Sequence, residues 1–209
     1  MAASATSAGD GRLVLVAAGA SAPHPDKVQS GGEDACMVYV DEVSRVCAMA
    51  VADGVSGWVD KGVDAAAYSK VLVTEAYDAY AGDAAMSPQA AMARAQAAAA
   101  VPGSATFVLA AMRDGSTLDV ANVGDAGVRV VRDGRVVMAS EPQQHQFDMP
   151  FQLACDAFVT AKFDSAADAD VLTCECKEGD WVLLGSDGLF DNLFDEELAQ
   201  SVTVGSRTL

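Results

Sequence analysis

Two aspartates stand where a turn residue is not needed. Asp53 ends the apolar run VCAMAVAD, and Asp187 follows the apolar run WVLLGS. Each precedes a glycine, and Asp-Gly is ordinarily turn chemistry. Asp114-Gly115 and Asp133-Gly134 fit that ordinary use: each lies between two alternating strand-like runs, where a type I′ turn joins a hairpin. After Asp53 and Asp187 the chain enters a loop and then a helical pattern, with no return strand. A carboxylate at the end of a buried strand is costly to desolvate without a partner. No basic cluster near either residue supplies one; a metal cation could. Three more acids share this placement. Asp34 precedes a strand in GGEDACMVYV, Asp125 lies between two strands in ANVGDAGVRV, and Asp191 follows Asp187 by four residues. Carboxylate oxygens with a glycine carbonyl nearby suit Mg²⁺ or Mn²⁺ and argue against zinc. Two such ions can lower the pKa of a shared water and supply a hydroxide nucleophile without any Ser or Cys.

The elements that must position these acids alternate between two periods. LVLVAAGA (13–20), CMVYVDEV (36–43) and SRVCAMAVA (44–52) read as strands, the last two as a hairpin. Ala65, Tyr68, Leu72, Ala76 and Ala79 form one helical stripe, with Gly82 as its stop. Ser87-Pro88 opens a second helix, QAAMARAQAAAA, with Ser87 as N-cap. SATFVLAAM, STLDVANV, AGVRVV and RVVMAS are short strands. A loop rich in Pro, Gln and Asp (141–156) follows, then the strands VLTCECKEGD and WVLLGS, and a final segment that turns helical. Two helices between β meanders predict an α+β sandwich rather than a parallel doubly wound sheet. Residues 1–12 read as a disordered Ser/Ala-rich tail and 13–209 as one domain.

Thirteen Lys and Arg against thirty Asp and Glu give a formal net charge of −17. Such a chain repels nucleic acid and anionic membranes, and it repels a phosphorylated substrate unless bound metal inverts the local field. Five cysteines, an odd number with no framework spacing, point to a reducing, intracellular setting, either the cytoplasm or an organelle. Cys174-Glu-Cys176 lacks the spacing of a zinc knuckle. No run approaches the ~20 apolar residues of a membrane span. A targeting signal is absent or was removed, since the first residues are too few and carry no Arg before position 12. A monomer is expected.

GEDA, VADGVSGW, GSATFVLA, NVGDAG and LLGSDGLFDNL occur in this order. Together they resemble the metal-dependent PPM/PP2C-type serine/threonine protein phosphatases. PHPDKV and PQQHQFDMPFQL resemble that family's PTC7-like branch, which is often found in chloroplasts or mitochondria. The resemblance spans roughly residues 13–200. It implies an α-β-β-α sandwich and hydrolysis of phosphoserine and phosphothreonine in protein substrates by a metal-bridging hydroxide. Asp53 would bridge two Mg²⁺ or Mn²⁺ ions, and the Gly54 carbonyl would bind one of them. Asp34 would act in catalysis by holding a metal-bound water. Asp187 would bind the other metal, and Asp125 and Asp191 would complete a weaker third position.

Three departures accompany the resemblance. Val55 stands where most members carry the histidine proposed as general acid, and Ser56 replaces the next glycine. Gln29 stands where many carry a phosphate-holding arginine, which leaves Lys27 as the nearby substrate-binding candidate. The family ends on an acid-bearing strand, and SVTVGSRTL contains no acid, so the fold is expected to lack its C-terminal part and one metal ligand. The alternative reading is therefore a non-catalytic binding protein of the same fold, or an inactive truncated product. His24 and His145 are read as loop-packing residues, and Trp58 as packing beside the first helix.

Overall fold

The computed structural model describes residues 1–7, 12–29, 31–155 and 163–205. Strands β1 (Ala2–Ser7) and β2 (Leu13–Ala18) come first, followed by the hairpin of β3 (Asp34–Asp41) and β4 (Val46–Gly54). Helices α1 (Ala65–Gly82) and α2 (Pro88–Ala98) follow. Next are β5 (Ser104–Met112), β6 (Thr117–Val123), β7 (Gly127–Arg132) and β8 (Arg135–Ala139). The short strands β9 (Gln144–Gln146), β10 (Met149–Pro150) and β11 (Leu153–Ala154) precede β12 (Asp170–Glu175) and β13 (Trp181–Gly185). The chain closes with α3 (Asp187–Phe190) and α4 (Asp195–Gly205).

The strands form two stacked sheets, ordered β2-β1-β13-β7-β8 and β12-β6-β5-β4-β3, with β11 pairing to β5 and the β9–β10 hairpin apart. Period-two alternation sorts the central strands between two cores. Ala48, Ala50, Ala52, Phe107 and Leu109 face α1 and α2, where they meet Tyr68, Leu72 and Met92. Met49, Val51, Val108, Val120, Val128 and Leu184 fill the space between the sheets. Burial on both faces explains why VCAMAVA and TFVLAAM read as unbroken apolar runs. On the outer face of the β2-β1-β13-β7-β8 sheet, Leu198 and Ala199 of α4 cover Val131 and Leu183. Helices outside two stacked sheets make the expected α-β-β-α sandwich.

The helix boundaries follow local chemistry. Asp64 caps α1 by accepting from Ala66 N at 3.0 Å, and Ser87 caps α2 by accepting from Ala90 N at 3.3 Å. Asp133 (φ 51°) and Gly134 (φ 73°) form the left-handed pair of a tight hairpin, as predicted. Asp114 behaves differently. Its carboxylate accepts from the backbone N–H of Ser116 and Thr117, and only Gly115 has positive φ, so an Asx turn replaces the expected type I′ turn.

One expectation is corrected. The start of the chain is not a disordered tail: β1 pairs with β2 along its whole length and with β13 over Ala2–Ser4. Ala3 and Ala5 point into the core between the sheets, so small side chains that look like low-complexity sequence are what that narrow space admits. Residues 8–11 of the expected tail lie outside the described residues. No helix among the described residues is long and apolar enough to cross a membrane.

Candidate metal centre

Strand parity decides where Asp53 points. It shares a face of β4 with Cys47, Met49 and Val51, the face turned toward the other sheet. Asp34 is its direct partner across the β3–β4 ladder, so the two carboxylates lie side by side. Asp187 reaches the same place from the other sheet, as the first residue of α3 at the end of β13. Ser186, just before it, donates its hydroxyl to Asp34 Oδ2 at 3.1 Å and ties the two sheet ends together. Asp125 sits where the chain crosses from β6 in one sheet to β7 in the other.

The electrostatics match this convergence. Burial, then the Asp34 and Asp187 carboxylates, push the Asp53 carboxyl up to about 9. Burial and then Asp187 push Asp125 up to about 6, with smaller contributions from Asp191 and Asp148. Asp34, Asp53 and Asp187 line a cavity of about 390 Å³ together with Lys27, Glu33 and Ser56. Lys27 is not a free loop lysine: its ammonium donates to Glu33 and, at 2.8 Å, to Ser56 Oγ. The cavity is thus acidic at its floor and carries one ammonium on its wall.

The donor set fits a hard divalent cation: oxygen only, several carboxylates, one of them too buried to be charged alone. Among the described residues, however, no three His, Cys, Asp or Glu side chains already converge on one point. The carboxylates share a cavity and repel one another; a cation is what draws such groups inward.

Gly54 is fixed by packing. A Cβ there would lie 2.2 Å from Ala65 O and 2.8 Å from Glu33 O, so only glycine lets the start of α1 close against the end of β4. Trp58 is buried as expected and donates Nε1–H to Ser104 Oγ at 2.7 Å. His145 Nε2 contacts the Asp164 carboxylate and its ring stacks on Phe151, while His24 Nδ1 accepts from Asp26 N. Sequence reasoning missed Glu33, Ser56 and Ser186 as partners of Lys27 and Asp34. Their contacts span up to 152 residues, and no local pattern signals them.

The family profile described as Protein phosphatase 2C matches residues 2–208. The chain is 40% identical over 191 residues to the probable protein phosphatase 2C 26 of Arabidopsis thaliana, covering 87% of this chain and 59% of that protein. It is 39% identical over 183 residues to the probable protein phosphatase 2C 1 of Oryza sativa subsp. japonica, covering 87% of this chain and 53% of that protein. The chain therefore spans little more than half the length of these relatives. Among solved structures, that of the photosystem II phosphatase PBCP superposes with a TM-score of 0.80 at 39% identity, covering 87% of this chain and 70% of that one. With five sequence motifs gathered at one end of two stacked sheets and a matching profile across nearly all its residues, the chain belongs to the protein phosphatase 2C family.

Proposed function

We propose that this chain is a metal-dependent protein serine/threonine phosphatase of the PTC7-like branch, acting as a monomer on phosphorylated proteins. The observation that carries the reading is the meeting of Asp34, Asp53 and Asp187 from two sheets in one acidic cavity. The solved structure of the phosphatase PstP, of related fold at 19% identity, is described as a complex with two manganese ions. Here Asp53, the Gly54 carbonyl and Asp187 would hold Mg²⁺ or Mn²⁺, with Asp125 and Asp191 at a weaker third position. Bound there, the cations would supply Lewis-acid activation of water and offset phosphate charge.

The chain's own groups do the rest. Asp53, whose burial and acidic neighbours favour its protonated form, would hold a cation as the carboxylate. Asp34, held by the Ser186 hydroxyl, is set beside Asp53 to orient a water. Lys27 offers an ammonium to a substrate phosphate, and Glu33 and Ser56 hold it at the cavity wall meanwhile. Val55 has no proton to give, so protonation of the leaving alkoxide falls to water or another group.

The test is Mn²⁺-dependent phosphate release from phosphothreonine peptides, including one based on a photosystem II sequence. That choice follows the similarity to the photosystem II phosphatase PBCP, and it also probes a chloroplast setting. Release that needs Mn²⁺ and falls at least about 100-fold in Asp53→Asn supports the reading. Tight Mn²⁺ binding by calorimetry with no release from any peptide favours a non-catalytic binding protein instead.

A further inference from the structure

The turn that carries Asp125 is held from one side by a single residue. Gly124 has φ +96°, and a Cβ there would lie 2.4 Å from Phe151 O and 2.7 Å from Thr106 Cβ. Both backbone groups of Gly124 engage Gln143. The Gln143 N–H donates to Gly124 O at 3.0 Å, and the Gly124 N–H donates to Gln143 Oε1 at 3.1 Å. Asn122, fully buried in β6, adds an Nδ2–H bond to the same Gly124 oxygen at 3.2 Å.

Gln143 has two further polar groups, and both face elsewhere. Its carbonyl accepts from Phe151 N at 3.0 Å, closing the base of the β9–β10 hairpin. Its Nε2 donates to Asp168 O at 3.0 Å, in the turn before β12. One half-buried residue thus joins three segments: its backbone carbonyl holds the hairpin, and its side-chain amide bridges the Asp125 turn and the β12 approach. An amide is the side chain that accepts at one end and donates at the other. The bonds to Gly124 set its dihedrals, and these set the direction in which Asp125 leaves the sheet.

We propose that Gln143 is a positioning residue for Asp125: it presets that carboxylate for the weaker cation and makes its placement depend on the β9–β10 hairpin. This rests on the reading of Asp125 as a cation ligand. Contact that shifts the hairpin, as a protein substrate lying across the site would make, then changes cation affinity at Asp125.

The test uses the whole chain, with Gln143→Met, Gln143→Glu and Asp125→Asn. The first keeps side-chain length and loses both amide bonds. The second keeps the acceptor for Gly124 N and loses the donor to Asp168. Amide hydrogen exchange on cation-free protein should show Gly124 and Asp125 exchanging about ten-fold faster in Gln143→Met, with protection of Gly124 restored in Gln143→Glu. Mn²⁺ titration read by electron paramagnetic resonance should show the weak class of sites weakened about ten-fold in Gln143→Met and lost in Asp125→Asn, with the tight class unchanged. If Asp125→Asn removes the weak class while Gln143→Met leaves it within two-fold, the positioning role is wrong and the ligand reading stands. If Asp125→Asn leaves Mn²⁺ binding intact, the ligand reading fails and takes the proposal with it. Equal weakening of both classes in Gln143→Met, with lower overall stability, marks a merely structural residue and also overturns the proposal.

Discussion

Replacing Gly54 by alanine isolates the packing that brings the strand carrying Asp53 and the first helix together. The added methyl would sit 2.2 Å from Ala65 O and 2.8 Å from Glu33 O, where ordinary contact begins near 3.4 Å. Both obstacles are backbone, so neither can rotate away. The start of α1 must retreat by more than 1 Å. That retreat loosens the bond from the Ser69 hydroxyl to Glu33 O, and with it the segment whose carboxylate anchors Lys27. Overpacking costs about 1–3 kcal/mol, and a clash with two backbone oxygens belongs at the upper end, about 3 kcal/mol. For a domain of this size each kcal/mol lowers Tm by about 2–4 °C, so the expected loss is about 6–12 °C. Gly57→Ala is the control: it lies three residues on, with no atom within 4 Å of its added Cβ and no positive φ. Its Tm should move by less than about 2 °C, or rise slightly through lower unfolded-state entropy. Thermal unfolding by circular dichroism, with and without Mn²⁺, reads both. Gly54→Ala should also lose most of the Mn²⁺-induced rise in Tm, because Asp53 and the Gly54 carbonyl move with the displaced strand end. A Gly54→Ala protein melting within 2 °C of the parent, or a Gly57→Ala protein falling equally far, would refute the packing argument.

Two further outcomes follow from the same structure. Asp53 keeps its proton in the folded chain well above the pH at which the unfolded chain loses it, so its contribution to cation-free stability is fully present below about pH 4 and is lost as pH rises toward about 9. Asp53→Asn is neutral at every pH. Metal-free at pH 7.5 it should be more stable than the parent by about 2 kcal/mol or more, show a flatter pH–Tm curve, and lose most of the gain from Mn²⁺; a less stable variant contradicts the crowding of carboxylates. Asp180, 1% exposed, accepts from Arg132 Nε and Nη2 and from Lys177 N at 2.7–2.9 Å. Asp180→Ala should cost about 2–4 kcal/mol, less than a fully buried pair because Arg132 is partly exposed. In a double-mutant cycle with Arg132→Ala, a coupling below about 0.5 kcal/mol would contradict this.

Much of the positioning frame could be read locally. Short alternating or unbroken apolar runs marked β3 to β8, the stripe from Ala65 to Ala79 marked α1, and Ser87-Pro88 marked the start of α2, because each depends on neighbours within a few residues. The separation of Asp53 and Asp187 from Asp133 also held, since a hairpin turn needs a return strand and the first two lack one. The N-terminal strand was missed for a physical reason. Its Ala and Ser side chains carry no strand signal of their own, and they form a strand only because β2 and β13 lie on either side. Asp114 was misjudged in turn type because an Asx turn and a type I′ turn use the same dipeptide.

The sequence by itself determined which acids are candidates and which elements carry them: residue type, period and turn chemistry are properties of short segments. Only the tertiary structure decided that Asp34 stands opposite Asp53 and that Asp187 arrives from the other sheet. It alone put the Lys27 ammonium against Glu33 and set the Asp125 turn on Gln143. Those placements depend on ladder register and on how two sheets stack. Each is fixed by the burial of both cores together, a cooperative quantity that no short stretch of the chain contains.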